Sequence, residues 1–153
     1  MFTFPPTFIL RHRRENLKKC SLRGLEKRED LRFFTYPRHK LPDTSGYILL
    51  ALGAPPLTQE DKGRGLLLLD GTWRYAELMQ RQLSAPIETR SIPEGFLTAY
   101  PRRQDACEDP TRGLATVEAL FIAYTILGRE TGGLLDGYHW KDKFLDINRG
   151  VLR

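Results

Sequence analysis

Apolar positions fall into two kinds of run along this chain, and their spacing predicts most of its elements. Phe8-Ile9-Leu10, Tyr47-Ile48-Leu49-Leu50-Ala51-Leu52 and Leu66-Leu67-Leu68-Leu69 are continuous, with no polar alternation. Such runs suit strands buried on both faces, as in a parallel sheet. Between the first two, Leu22, Leu25 and Glu29 lie at near-helical spacing among Lys19, Arg23, Lys27 and Arg28, which predicts a basic helix over 18–31. Pro37, Pro42, Asp43, Ser45 and Gly46 make 33–46 a loop, and Thr58-Gln59-Glu60-Asp61 marks a helical turn. After the Leu66–Leu69 run, Trp73, Ala76, Met79 and Leu83 recur at helical spacing and form one apolar face, with Thr72 as the N-cap.

The pattern changes beyond that helix. Residues 87–104 are interrupted by Pro93, Gly95 and Pro101 and read as irregular. Leu114 to Leu127 is apolar almost all round, which marks a buried helix stopped by Gly128. Trp140, Phe144, Ile147 and Val151 suggest a last amphipathic helix. The expected architecture is therefore α/β, with an α/β N-terminal half over 1–91 and a small helical C-terminal half over 92–153.

Length and composition narrow this further. The 153 residues fit one compact unit, or two small halves sharing a core. No apolar run approaches the roughly 18–20 residues of a membrane span, so no membrane partner is expected. Met1-Phe2-Thr3-Phe4-Pro5-Pro6 lacks the charged and apolar regions of a signal peptide. Cys20 and Cys107 make neither a disulfide framework nor a four-cysteine metal site. A monomer in the reducing cytoplasm, without a metal, is the expectation.

Charge adds a candidate partner. Of the net +5, residues 1–40 carry eleven basic and four acidic side chains, a surplus of seven, while the remainder sums to −2. A basic surface of this kind suits a polyanion such as RNA, against the plainer alternative of a solvated face. Arg11, Arg13, Arg14, Lys18, Lys19 and Arg23 are the candidate RNA contacts, with Arg102 and Arg103 further along.

Three segments carry candidate chemistry. In Leu69-Asp70-Gly71-Thr72-Trp73 a carboxylate stands where a buried strand ends and a helix begins. Ligands of open α/β sheets bind at the carboxyl ends of strands. Gly71 permits close approach, helix-start amides favour an anionic group, and Trp73 offers an indole N–H with a large apolar face. A helix cap with a core tryptophan is the competing reading. Asn16-Leu17-Lys18-Lys19-Cys20-Ser21 puts a hydroxyl beside two cations. Pro110-Thr111-Arg112-Gly113-Leu114-Ala115-Thr116 is a glycine turn entering the buried helix, with Thr116 as its expected cap. His12, His39 and His139 have no metal-ligand spacing, and Cys107 lies among Asp105, Glu108 and Asp109, which disfavour a thiolate.

Taken in order, these segments resemble the superfamily that joins DTW-domain proteins to the small-subunit rRNA aminocarboxypropyltransferases. Leu67-Leu68-Leu69-Asp70-Gly71-Thr72-Trp73 is similar to its Asp-x-Ser/Thr-Trp signature, and Leu114-Ala115-Thr116-Val117-Glu118-Ala119 to its Leu-Ser/Thr-Thr-x-Glu-Ala helix start. Leu17-Lys18-Lys19-Cys20-Ser21 and Trp140-Lys141-Asp142-Lys143-Phe144-Leu145-Asp146-Ile147-Asn148 resemble motifs of the rRNA branch. Thr98–Gln104 and Arg112 depart from the rRNA-branch pattern, and the N-terminal cysteine cluster of many DTW proteins is missing.

The resemblance implies a knotted, SPOUT-like α/β fold. It implies S-adenosylmethionine as cofactor and transfer of its 3-amino-3-carboxypropyl group to a uridine or pseudouridine nitrogen in RNA, rRNA before tRNA. Carried over by position, Ser21, Leu69, Ile92, Arg112 and Thr116 would contact the nucleotide part of the cofactor. Trp73 would hold its amino-acid end, and Asp70 would assist catalysis, as a base or by orienting the cofactor. A SPOUT-like RNA methyltransferase and a non-catalytic RNA-binding ribosome-assembly protein are the alternatives.

Overall fold

A computed structural model describes residues 3–13, 22–70, 73–81, 83, 86–100 and 114–152, apart from the side chains of Trp73 and Arg74. Five strands form one parallel sheet: β1 (Thr7–His12), β2 (Leu31–Tyr36), β3 (Tyr47–Leu50), β4 (Gly65–Asp70) and β5 (Glu88–Arg90), in the order β2-β1-β4-β3-β5. The continuous apolar runs become β1, β3 and β4, the three inner strands. Burial on both faces explains why they lack alternation.

Helices cover both faces. On one lies α1 (Trp73–Arg81), whose Met79 packs with Phe8, Leu10, Tyr47, Leu49 and Leu67. On the other lies α2 (Thr116–Leu127), whose Val117, Leu120, Ile122 and Tyr124 pack with Ile9, Ile48, Leu66 and Leu68. The cluster on the α2 face also takes in Phe144 of α3 (Lys141–Ile147), so residues on both sides of position 91 share one core. Gly128 ends α2 in the left-handed conformation (φ 70°), where a residue without Cβ is favoured.

Several expectations need correction. Residues 22–30 form successive turns, closed by bonds such as Leu25 N–H to Leu22 O (3.1 Å) and Arg28 N–H to Leu25 O (3.1 Å). Gly24 takes a positive φ of 91°, which a helix does not accommodate. Leu22 and Leu25 are still buried, so the spacing reported burial and not a helix. Leu31–Tyr36 is an edge strand, where a helix to residue 31 and a loop from residue 33 were expected, and Pro37 follows it. Pairing with β1 decides this, a tertiary influence that local punctuation does not record. Polar β5 (Glu88-Thr89-Arg90) escaped hydrophobic patterning altogether. The N-cap of α2 is Ala115, and Thr116 is its first helical residue. Helix α3 stops at Ile147, leaving Val151 exposed. The expected Thr72 cap lies outside the described residues.

Among the described residues, no helix is long and apolar enough to cross a membrane.

Candidate active site

Strands β1 and β4 are adjacent, yet the chain leaves them in opposite directions across the sheet. From β1 it turns to β2 at one edge, and from β4 through α1 to β5 at the other. Loops that diverge from neighbouring strand ends leave a crevice between them, which is where open α/β sheets bind ligands. Near the carboxyl ends of these two strands stand Arg11, next to last in β1, and Asp70, the last residue of β4, paired in register.

Their side chains meet. Arg11 Nε donates to Asp70 Oδ2 at 3.1 Å, and Thr116 Oγ1 donates to Asp70 Oδ1 at 2.9 Å. Arg11 and Asp70 are 8% and 4% exposed, so this ion pair is shielded from water. The guanidinium also lies over the Phe33 ring (4.8 Å) and within 3.9 Å of Glu26. A carboxylate has acceptor positions for about four donors, and these two contacts fix its plane.

The position of Thr116 is itself engineered from behind by Glu118, a fully buried carboxylate at the third position of α2. Its Oε1 accepts from Ala115 N–H (2.8 Å) and Thr98 Oγ1 (2.7 Å). Its Oε2 accepts from Ala99 N–H (2.8 Å) and Tyr138 Oη (2.9 Å). Asn148 completes the brace: it accepts from Leu97 N–H (2.7 Å) and donates to Leu97 O and Phe144 O (each 2.9 Å). Segment 97–100 is thereby tied to both C-terminal helices.

On the α1 side of the strand ends, the buried His12 ring stacks on Tyr75 (3.8 Å between centroids, 4° between planes) and leans on Tyr36 (5.7 Å). Leu69 is half-buried on that same side, against the Met79 cluster. Ile92 is half-buried against the α2 cluster, just past β5.

Of the expected site residues, the fold thus brings Asp70 and Thr116 into contact, with Leu69 beside Asp70 in β4 and Ile92 after β5. Ser21, Arg112 and the Trp73 side chain lie outside the described residues, as do Arg14, Lys18, Lys19, Arg102 and Arg103. Arg13 and Arg23 are exposed. Arg11 departs from its expected role on an RNA-facing surface: it is buried, because it stands in register beside a buried carboxylate that needs a counter-charge. Sequence reasoning missed Arg11 as the partner of Asp70, and Glu118 as the anchor of the helix start. An acid three residues beyond a helix N-cap was the available signal for Glu118. Arg11 offered none. Among the described residues, no group of three or more His, Cys, Asp or Glu is placed to hold a metal.

No family model matches the chain, and no curated protein sequence matches it. A solved structure does: the SAM-dependent rRNA:acp-transferase Tsr3 from Vulcanisaeta distributa. The similarity has a TM-score of 0.70 at 24% identity and covers 97% of this chain and 81% of that one. It establishes a shared mixed α/β fold around the five-stranded parallel sheet.

Proposed function

We propose that this chain transfers the 3-amino-3-carboxypropyl group of S-adenosylmethionine to a uridine or pseudouridine nitrogen in rRNA, releasing methylthioadenosine. The observation that carries the reading is the Arg11–Asp70–Thr116 cluster at the strand switch point, in a fold shared with a SAM-dependent rRNA:acp-transferase. A knotted, SPOUT-like threading, a kinship with DTW proteins and a cytoplasmic, single-chain enzyme belong to the same reading.

The residues present suit such a cofactor. Asp70 supplies an anion next to the crevice for a ligand carrying an ammonium and a sulfonium. Leu69 and Ile92 supply half-buried apolar surface near the strand ends for a base. The cofactor's contribution when bound is a sulfonium whose attached carbons are electrophilic. Which carbon reacts depends on which one is held in line with the nucleophile, at about 3–3.5 Å. The protein's task is therefore orientation.

Asp70 is built for that task. Its role is to accept from a donor, the cofactor ammonium or the N–H of the target base, through a carboxylate whose plane Arg11 and Thr116 fix. Glu118 acts one step further back, as a positioning residue that sets the first turn of α2.

The test is direct. Titration calorimetry with S-adenosylmethionine should show binding, weakened by Trp73→Ala. Incubation with small-subunit rRNA should then release methylthioadenosine and add an aminocarboxypropyl mass to one nucleoside. No heat of binding overturns the cofactor; release of S-adenosylhomocysteine instead would make the enzyme a methyltransferase.

A further inference from the structure

A second feature lies on the other side of Arg11 from Asp70. At the carboxyl ends of β1 and β2, Arg13, Thr35, Pro37 and Arg38 line an open groove of about 410 Å³. Both arginines are exposed, and neither makes an ion pair among the described residues. Arg11, Arg28, Arg64, Arg81, Arg90 and Arg149 each have a carboxylate within ion-pair distance; the exposed Arg23 and Arg32 have none either, but they do not line the groove.

The backbone under this groove is well braced. Arg13 N–H donates to Tyr36 O at 2.9 Å, which carries the β1–β2 pairing past His12. Thr35 N–H donates to His39 Nδ1 (3.0 Å) and His39 N–H returns to Thr35 O (2.8 Å), closing the turn that bears Arg38. Two guanidiniums are thus presented from fixed backbone, so ordering on binding is confined to the arginine side chains. Guanidinium forks match phosphate oxygens in charge and geometry.

The groove also stands in register with the candidate active site. Thr35 pairs with Arg11, and Arg11 pairs with Asp70. Two strand spacings of about 4.8 Å place Thr35 about 10 Å from Asp70. That is the scale of one nucleotide, from a base held over Asp70 to a neighbouring backbone phosphate.

We infer that the Arg13–Arg38 groove holds a backbone phosphate of the RNA strand beside the nucleotide being modified. The inference rests on the reading of the site as an RNA-modifying one and adds where the strand leaves it. A single strand is the form that fits, since the target base must lie free of a duplex to reach the strand ends.

The test measures binding apart from chemistry. The full-length protein is titrated with a fluorescein-labelled single-stranded RNA over a range of salt, alongside Arg13→Ala, Arg38→Ala, the double variant and a control, Arg149→Ala. Each groove substitution should weaken binding and lower the slope of log K against log salt, and the double variant should lower it by about 0.7, the contribution of one phosphate on a single strand. The control should keep the parent slope. Where turnover is measurable, the KM for RNA should rise with kcat held at saturating RNA. Slopes that match the control, or a parent protein that does not bind the RNA, overturn the groove. Slopes reduced as expected, with no transfer product, would instead overturn the proposed reaction and leave the groove standing.

Discussion

Replacing Glu118 by Gln removes one oxygen and one charge from the C-terminal side of the site, with almost no change in shape. The carboxylate accepts four hydrogen bonds, two at each oxygen, and two of the donors are backbone amides: Ala115 N–H at Oε1 and Ala99 N–H at Oε2. The hydroxyls of Thr98 and Tyr138 can rotate to accept from an amide NH2, but a backbone N–H cannot. Either orientation of the Gln side chain therefore sets its NH2 against one buried amide. Stranding one buried donor costs about 1–3 kcal/mol, and exchanging charged hydrogen bonds for neutral ones adds about 1 kcal/mol. The expected loss is roughly 2–4 kcal/mol, a fall in Tm of about 5–15 °C for a chain of this size. Urea unfolding monitored by circular dichroism should show a lower midpoint at unchanged m. Glu118→Ala strands both amides and should cost more. A Gln variant within about 0.5 kcal/mol of the parent refutes the reasoning, because surface substitutions do no worse.

Three further outcomes are expected. Arg11→Met leaves Asp70 buried without its guanidinium and should cost about 3–5 kcal/mol, much of it recovered in Arg11→Met/Asp70→Leu; an additive double-mutant cycle from denaturant unfolding contradicts the pairing. Burial raises the Tyr124 hydroxyl above its ordinary value of 10.0, so the unfolded chain loses that proton first and stability falls as pH rises above 10.0 towards the higher folded value. Tyr124→Phe should flatten that alkaline slope in pH-dependent urea unfolding, and an unchanged slope counts against it. A Cβ on Gly65 would lie 2.5 Å from the Tyr47 ring, which stacks on Phe8 (4.4 Å) while its hydroxyl donates to Pro6 O (2.6 Å). Gly65→Ala should thus cost about 1–3 kcal/mol and alter the near-ultraviolet spectrum, whereas a parent-like Tm and spectrum would show that the ring moves freely.

The apolar runs alone determined the inner sheet. Burial on both faces removes polar alternation, so β1, β3 and β4 were legible as continuous stretches, and the all-round apolar α2 as a buried helix with its stop at Gly128. Asp70 was legible too, because a lone acid after four leucines marks the end of a buried strand. The tertiary structure decided what depends on pairing. Phe33 and Phe34 became a strand because β1 offers an edge, and Glu88-Thr89-Arg90 because β3 does. Leu22 and Leu25 reached the core through turns that mimic helical spacing. Arg11 reads as one more cation in a basic segment until parallel register sets it beside Asp70, 59 residues away. The physical reason is the same in each case: hydrophobic periodicity reports how deeply a residue is buried, while the partner of a buried charge depends on which distant strand pairs alongside, a long-range outcome that one segment's own sequence does not show.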